Sequence, residues 1–179
     1  MSDANTDTIT LAGGCFWCVE AVYERVKGVT KVESGYSNGH AVAPTYEQVC
    51  GGDTGHAEVV RVTFDPRSIS LREVLEIFFV VHDPTQLNRQ GNDVGMQYRS
   101  AVYFHSPQQE KVVREVVAEA DALHKGKVVT EVAPERNYSR AEDYHQHYFA
   151  QHPFQGYCAA VIAPKVEKFR NVFRARLKA

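Results

Sequence analysis

The chain has 179 residues, 44% of them apolar and 23% charged, with a formal net charge of −2. That length suits one domain, expected to span 1–179, and the weak negative charge without a basic block excludes an electrostatic nucleic-acid footprint. No apolar run approaches the roughly 20 residues that a membrane span needs, and the polar residues 1–8 lack the basic-then-apolar order of a secretory leader. Those eight residues are expected to be frayed, and the chain reads as a cytoplasmic monomer that meets neither membrane nor nucleic acid.

In chain order, 8–12 reads as a short strand running into Gly13-Gly14. From 15 to 27, Phe16, Val19, Val22, Tyr23 and Val26 recur at helical spacing, and Gly28 closes the helix. Residues 29–36 alternate as a strand and lead into a Gly/Asn-rich loop, 37–44. Residues 56–64 alternate again, with Ala57, Val59, Arg61 and Thr63 on one face and Val60, Val62 and Phe64 on the other. Ser70 as N-cap, with Glu73 at the capping-box position, opens a helix carrying Leu71, Val74, Leu75, Phe78 and Phe79. The polar segment 82–98 is too long for a plain connection and marks a functional loop. A strand at 99–104, an amphipathic helix at 107–124 and a strand at 128–132 follow. Residues 138–179 read as irregular, with a Tyr/His-rich stretch, a short apolar piece at 157–162 and a basic helical tail from 165. Strands and helices mix without strict alternation. This predicts an α+β, two-layer sandwich: a mixed central sheet with packed helices, a ferredoxin-like core with long loops.

Four cysteines, at 15, 18, 50 and 158, point away from a disulfide scaffold in such a compartment and toward catalysis, redox exchange or a metal. Cys15 follows a strand and two glycines and opens a helix, where unpaired N–H groups and the helix dipole stabilise a thiolate. A depressed thiol pKa is expected there. Phe16 and Trp17 come next, and adjacent helical residues cannot share one core face, so at least one ring should line a cleft beside the thiol. Cys15 and Cys18 could supply half a zinc site, but there is no second C-x-x-C. His145 and His147 would diverge on a helix and read as solvent-facing. Neither metal nor cofactor is expected.

Gly13-Gly14-Cys15-Phe16-Trp17-Cys18-Val19-Glu20 resembles the signature of the A-type peptide methionine sulfoxide reductases. The similarity runs on through Pro44–Cys50, Gly55–Val60, His82-Asp83-Pro84, Arg89–Gly95, Gln97–Ser100 and Ala141–Gln146, in the family's order. The resemblance implies thiol-dependent reduction of methionine S-sulfoxide, free or in proteins, with Cys15 as nucleophile and Phe16 and Trp17 walling the S-methyl pocket. It implies Glu58 as the acid that protonates the sulfoxide oxygen, and Tyr46 and Tyr98 as donors to that oxygen, with Asp93 beside them. Glu58 taken alone reads more simply as an exposed edge glutamate. The Cys15 sulfenic acid must then meet a second thiol, and the resulting disulfide must be reduced by a dithiol protein such as thioredoxin. Cys158 matches the family's C-terminal resolving cysteine and is preferred. Cys18, where many relatives carry Gly, is the alternative, Cys50 is a spectator, and the further downstream cysteine of some relatives is absent.

Two other readings stay open at this point. One is a thioredoxin-like disulfide oxidoreductase built on Cys15-x-x-Cys18. It leaves 91–98, Glu58 and Cys158 without a role. The other is a module that only binds oxidised peptides, which would need no thiol pair.

Overall fold

The alternating segment around Val59 becomes β3 (Ala57–Phe64), a central strand of a six-stranded sheet. The computed structural model describes residues 5–178. In it β3 lies between β1 (Asp7–Gly13) and β2 (Val29–Ser37), antiparallel to both. β6 (Ser100–Phe104) pairs antiparallel with β1, and β7 (Glu131–Pro134) adds to β6 in parallel. β8 (Ser139–Arg140) closes the far edge against β2, so the order is β7-β6-β1-β3-β2-β8. α1 (Phe16–Tyr23) connects β1 to β2, and α3 (Leu71–Val81) lies between β3 and β6. The inner four strands therefore follow the β-α-β-β-α-β path of a ferredoxin-like core, and the single parallel pair makes the sheet mixed.

Because β3 is central, both of its faces are covered. Val60, Val62 and Phe64 join the main core with Leu11, Val22, Phe78 and Phe169. Each such side chain contributes roughly 1.5–3 kcal/mol on burial. Ala57 and Val59 face a smaller cluster with Ala12, Ala101 and Tyr103. Beside that cluster Thr10, Arg61 and His105 converge on the Glu135 carboxylate, and the Arg61 guanidinium lies 3.6 Å from the centre of the Tyr138 ring. The shared hydrogen bonds offset the cost of burying charge there.

Ser70 and Glu73 form the expected capping box on α3. A second capping box, Thr45 with Gln48, opens α2 (Tyr46–Cys50), a helix the sequence reading left out although both residues signal it. Four other expectations are corrected. Asp7 and Thr8 are not frayed, because both pair with β3; residues 1–4 lie outside the described residues. α1 stops at Tyr23 rather than Lys27, because Lys27 N–H donates to Arg176 O (2.6 Å) and Val26 bridges to Leu177. β7 starts three residues later than expected, at Glu131, whose carboxylate accepts from Arg99 and Tyr103. The segment 138–179 is less irregular than expected. It holds β8, a 3-10 turn at Asp143–His145, α5 (Tyr148–Gln151), a π-helical turn at Cys158–Ile162 and α6 (Ala163–Val172). The helix read over 107–124 is α4 (Pro107–Leu123).

The long loop 82–98 is ordered by its own polar groups. β4 (Arg89–Gln90) and β5 (Asp93–Val94) make a small hairpin, followed by a 3-10 turn at Met96–Tyr98. Gln90 exchanges two hydrogen bonds with the Asp83 backbone, at 2.8 and 2.9 Å. Its side chain rests on Gly14, which has φ +93°, and a Cβ at Gly14 would lie 2.7 Å from Gln90 Cβ. Glycine thus lets the loop close over the turn that precedes Cys15. Gly14→Ala is predicted to cost about 1–3 kcal/mol from the backbone conformation alone and to push the hairpin outward. Denaturant unfolding checks this, and an unchanged midpoint would refute it.

Candidate active site

β1 ends at Gly13, Gly14 turns the chain, and Cys15 is the N-cap of α1 with φ −58° and ψ 128°. Cys18 N–H donates to Cys15 O (3.1 Å), which places the two thiols at the N-cap and N3 positions, where side chains meet in a capping box. Both are buried, at 7% and 2% exposure. The expected depression of the Cys15 pKa is not what the structure gives. Burial, then the hydrogen bond with Cys18 and the charge of Glu58, hold the Cys15 thiol well above its ordinary value, against the N–H of Trp17. Dehydration outweighs the helix end. Cys18 is instead lowered to about 7, chiefly by the hydrogen bond from Cys15, against burial and with help from the charge of Lys165. The pair gives up one proton near neutrality and holds the second tightly.

Glu58 stands on β3 opposite Tyr36, at 1% exposure, so the reading as an exposed edge glutamate fails because its strand is central. Phe16 N–H donates to its Oε1 (3.1 Å), while Oε2 is buried without a partner among the described residues. Burial pushes the carboxyl up to about 8, against the Phe16 hydrogen bond and with the charges of Asp93 and Cys18 adding. At neutral pH it is a carboxylic acid. The phenols of Tyr46 and Tyr98 are both raised by burial first and then by the charge of Glu58, which places them around the same carboxyl. Tyr46 is fixed through its N–H on Glu142 Oε2 (2.9 Å), and the other oxygen of Glu142 accepts from Tyr36 (2.8 Å).

An aromatic wall completes the site. The fully buried Phe16 stacks on Tyr46, centroids 6.3 Å apart, and Trp17 lies flat on Tyr148 at 3.8 Å. Trp17 Nε1–H donates to His145 Nδ1 (3.0 Å). His145 was expected at the surface, yet it is fully buried, 4.3 Å from the Tyr46 ring. The turn at Asp143–His145 ends at the extended Gln146, and His147, left-handed at φ 57°, opens α5 with its ring outward on Glu24 at 2.6 Å. Besides His145, Glu142 lies in the site without having been singled out in the sequence, as do Tyr36, Tyr148 and Tyr157. For Glu142 and His145 the signal was their place in the Ala141–Gln146 block.

Asp93, whose charge acts on Glu58 and Tyr98, also has a partner of its own. Its Oδ2 accepts the Tyr157 hydroxyl (2.5 Å), and that hydroxyl lies 3.7 Å from Cys18 Sγ. Cys158 is fully buried at the start of the π-helical turn, and burial, then the charge of Cys18, raise its thiol. Cys50 is exposed and hydrogen-bonds the Tyr46 side chain. All four cysteines are free. Glu20, Glu24 and His147 bring possible ligand atoms within 4.8 Å of one another, but the Glu20 carboxylate is already used by the N–H groups of His147 and Tyr148.

A thiol pair at a helix start, a buried carboxylic acid and an aromatic wall define a thiol oxidoreductase. The family model described as peptide methionine sulfoxide reductase matches residues 7–177. The peptide methionine sulfoxide reductase MsrA of Saccharolobus solfataricus is 54% identical over 96% of this chain and 97% of its own length. That of Ralstonia nicotianae is 55% identical, over 97% and 94%. Among solved structures, reduced Mxr1 from Saccharomyces cerevisiae superposes with a TM-score of 0.81 at 38% identity, covering 87% of this chain and 90% of that one. Mxr1 in complex with Trx2 gives 0.57 at 28%, covering 81% and 86%. This chain belongs to the peptide methionine sulfoxide reductase family.

The raised Glu58 value has a consequence for stability. Between the ordinary value of 4.5 and about 8, the folded chain binds a proton here that the unfolded chain has lost. Its contribution is therefore full below the lower value and is lost as pH rises through the window. Glu58→Gln keeps the oxygen facing Phe16 and removes the titration. The variant should be more stable than the parent at pH near 8 by at least about 1 kcal/mol, since one pKa unit corresponds to about 1.4 kcal/mol. Thermal unfolding on both sides of the window is the check. Equal stability above it would show that Glu58 does not resist ionisation.

Proposed function

We propose that the protein reduces methionine S-sulfoxide, free or within proteins, to methionine, and so repairs oxidised proteins. The observation that carries this is Glu58: one oxygen is fixed by Phe16 N–H, the other is buried and unpaired, and the group is protonated beside Cys15. Sulfoxide oxygen leaves only once it is protonated, and a buried carboxylic acid with a free O–H supplies that proton. Phe16 and Trp17 form the apolar wall for the S-methyl group, and Tyr46 and Tyr98 donate to the oxygen.

The Cys15 sulfur attacks the sulfoxide sulfur as Glu58 protonates the oxygen. Cys15 is held as a thiol, and the acceptor for its proton is Cys18, which is ionised more easily and hydrogen-bonds it. An S–S bond to Cys15 forms as the protonated oxygen departs as water. A water molecule then attacks the Cys15 sulfur, that S–S bond breaks, methionine leaves, and a sulfenic acid remains. A second thiol, Cys158 by its sequence setting or Cys18 by its position, closes a disulfide with loss of water. Thioredoxin or a similar dithiol protein then reduces it, as the complex of the relative Mxr1 with Trx2 supports. The protein works as one catalytic domain over 1–179, as a monomer in the cytoplasm and without metal or cofactor. Among the described residues no helix is long and apolar enough to cross a membrane. A disulfide exchanger built on Cys15 and Cys18 alone would have no use for a protonated Glu58.

Cys15→Ser should abolish methionine formation and leave the fold intact, because a hydroxyl does not attack sulfoxide sulfur at neutral pH. Substantial residual turnover would sink the mechanism. In a single turnover followed by methionine release, Glu58→Gln should slow the reduction about 10²–10⁴-fold. Tyr46→Phe and Tyr98→Phe should each cost less, since each removes one of several donors. The parent rate should decline as pH rises through about 8, where Glu58 loses its proton. A Glu58→Gln rate equal to the parent's would move the acid's role elsewhere.

A further inference from the structure

Tyr157 takes no part in the reduction step, yet it is held between two groups that can trade protons. Its hydroxyl donates to Asp93 Oδ2 (2.5 Å) and lies 3.7 Å from Cys18 Sγ. A phenol has one proton. With that proton committed to Asp93, its oxygen is left to accept the thiol hydrogen of Cys18. The ring is fixed edge-on against Trp17, with centroids 5.9 Å apart, and Asp93 is fixed by the β4–β5 hairpin. The outcome is an ordered line, thiol to phenol to carboxylate, from the buried Cys18 to the half-exposed Asp93.

We propose that Tyr157 and Asp93 are positioning residues that form a proton exit for Cys18, and that this makes Cys18 the thiol that resolves the Cys15 sulfenic acid. The inference rests on the reductase reading. After the reduction step Cys18 holds the proton it took from Cys15, and a protonated thiol is a poor nucleophile. Its proton moves to the Tyr157 oxygen as the phenolic proton moves to Asp93. The Cys18 sulfur then attacks the Cys15 sulfur, the S–S bond forms, and the S–O bond breaks. The departing hydroxide takes a proton from solvent and leaves as water, and Asp93 returns its proton to solvent.

The charged and titratable groups around Cys18 suit this role. Cys15 shares its helix turn, Glu58 faces it from β3, Asp93 from β5, and Tyr157 and Cys158 from the C-terminal segment. His82 and Lys165 line the small cavity beside it. Burial drives His82 down to about 4, so it is neutral, and Lys165 is the cation that steadies the Cys18 thiolate. Cys158 has no comparable line of donors. Its backbone N–H donates to Gln155 Oε1 (3.1 Å), and its thiol is merely buried. Its neighbour among the sulfurs is Cys18, which places it to take over the disulfide by exchange.

The test is a single turnover with methionine S-sulfoxide in the parent, Cys158→Ser and Tyr157→Phe chains, run across the neutral pH range without thioredoxin. Methionine release, dimedone-trappable sulfenic acid and mapped disulfides are followed together. Cys158→Ser should still close a Cys15–Cys18 disulfide. Tyr157→Phe, which keeps the ring against Trp17, should slow that closure about tenfold at neutral pH, and raising the pH should restore it, because Cys18 must then lose its proton directly to solvent. Methionine release should change less, and it reports that the variant is folded. Closure in Tyr157→Phe with the parent's rate and pH profile would overturn the proposal. So would a Cys158→Ser chain that stalls at the sulfenic acid. Absence of methionine release from the parent would instead strike the reductase reading itself.

Discussion

The hydrogen bond from Phe16 N–H to Glu58 Oε1 is the contact on which the rest of the site depends. It is made by the first turn of α1, where backbone N–H groups lack partners within the helix, and by the only acid on the core face of β3. It locks nucleophile and acid into one unit. It also occupies a single oxygen, so the carboxyl is positioned and yet left with an unpaired atom. A second donor would pull the group toward its ionised form, and none would leave it free to rotate.

The same low-polarity surroundings act on the two thiols in opposite ways. Cys15 is kept neutral and Cys18 carries the charge, although both lie on one helical turn. A charge shared between two sulfurs is easier to hold in a buried place than a lone thiolate. The pair can therefore stay ready near neutrality without a permanent cation against the nucleophile. The wall of Phe16, Trp17, Tyr46, Tyr148 and His145 keeps water out and supplies the dryness that Glu58 needs.

Local signals in the sequence carried much of this. The glycines before Cys15, the helix spacing after it and the Ser70–Glu73 box mark element starts, because the atoms that decide them lie within a few residues. The order of the strands is not local, and it decides that Glu58 is buried. The early end of α1 depends on backbone groups 150 residues away, at Arg176 and Leu177. His145 is held inward by Trp17 and by the rings of Phe16 and Tyr46, which come from distant parts of the chain. The contact between Asp93 and Tyr157 was not legible for the same reason: Tyr157 comes from the other end of the chain. Cys15 showed the limit most plainly, since the helix start was legible and the desolvation that outweighs it was not.

The turn at Cys158–Ile162 winds more loosely than the α6 helix that continues it, whose Val166 and Phe169 are anchored in the core. A π turn holds one residue more than an α turn. Tightening it to ordinary pitch would reel the chain by about 1.5 Å and rotate whatever precedes it by about 100° about the axis. Cys158 and Tyr157 stand at that edge. The looser winding beside the sulfurs thus sets the direction in which Tyr157 and Cys158 face, while Val166 and Phe169 hold the helix that follows.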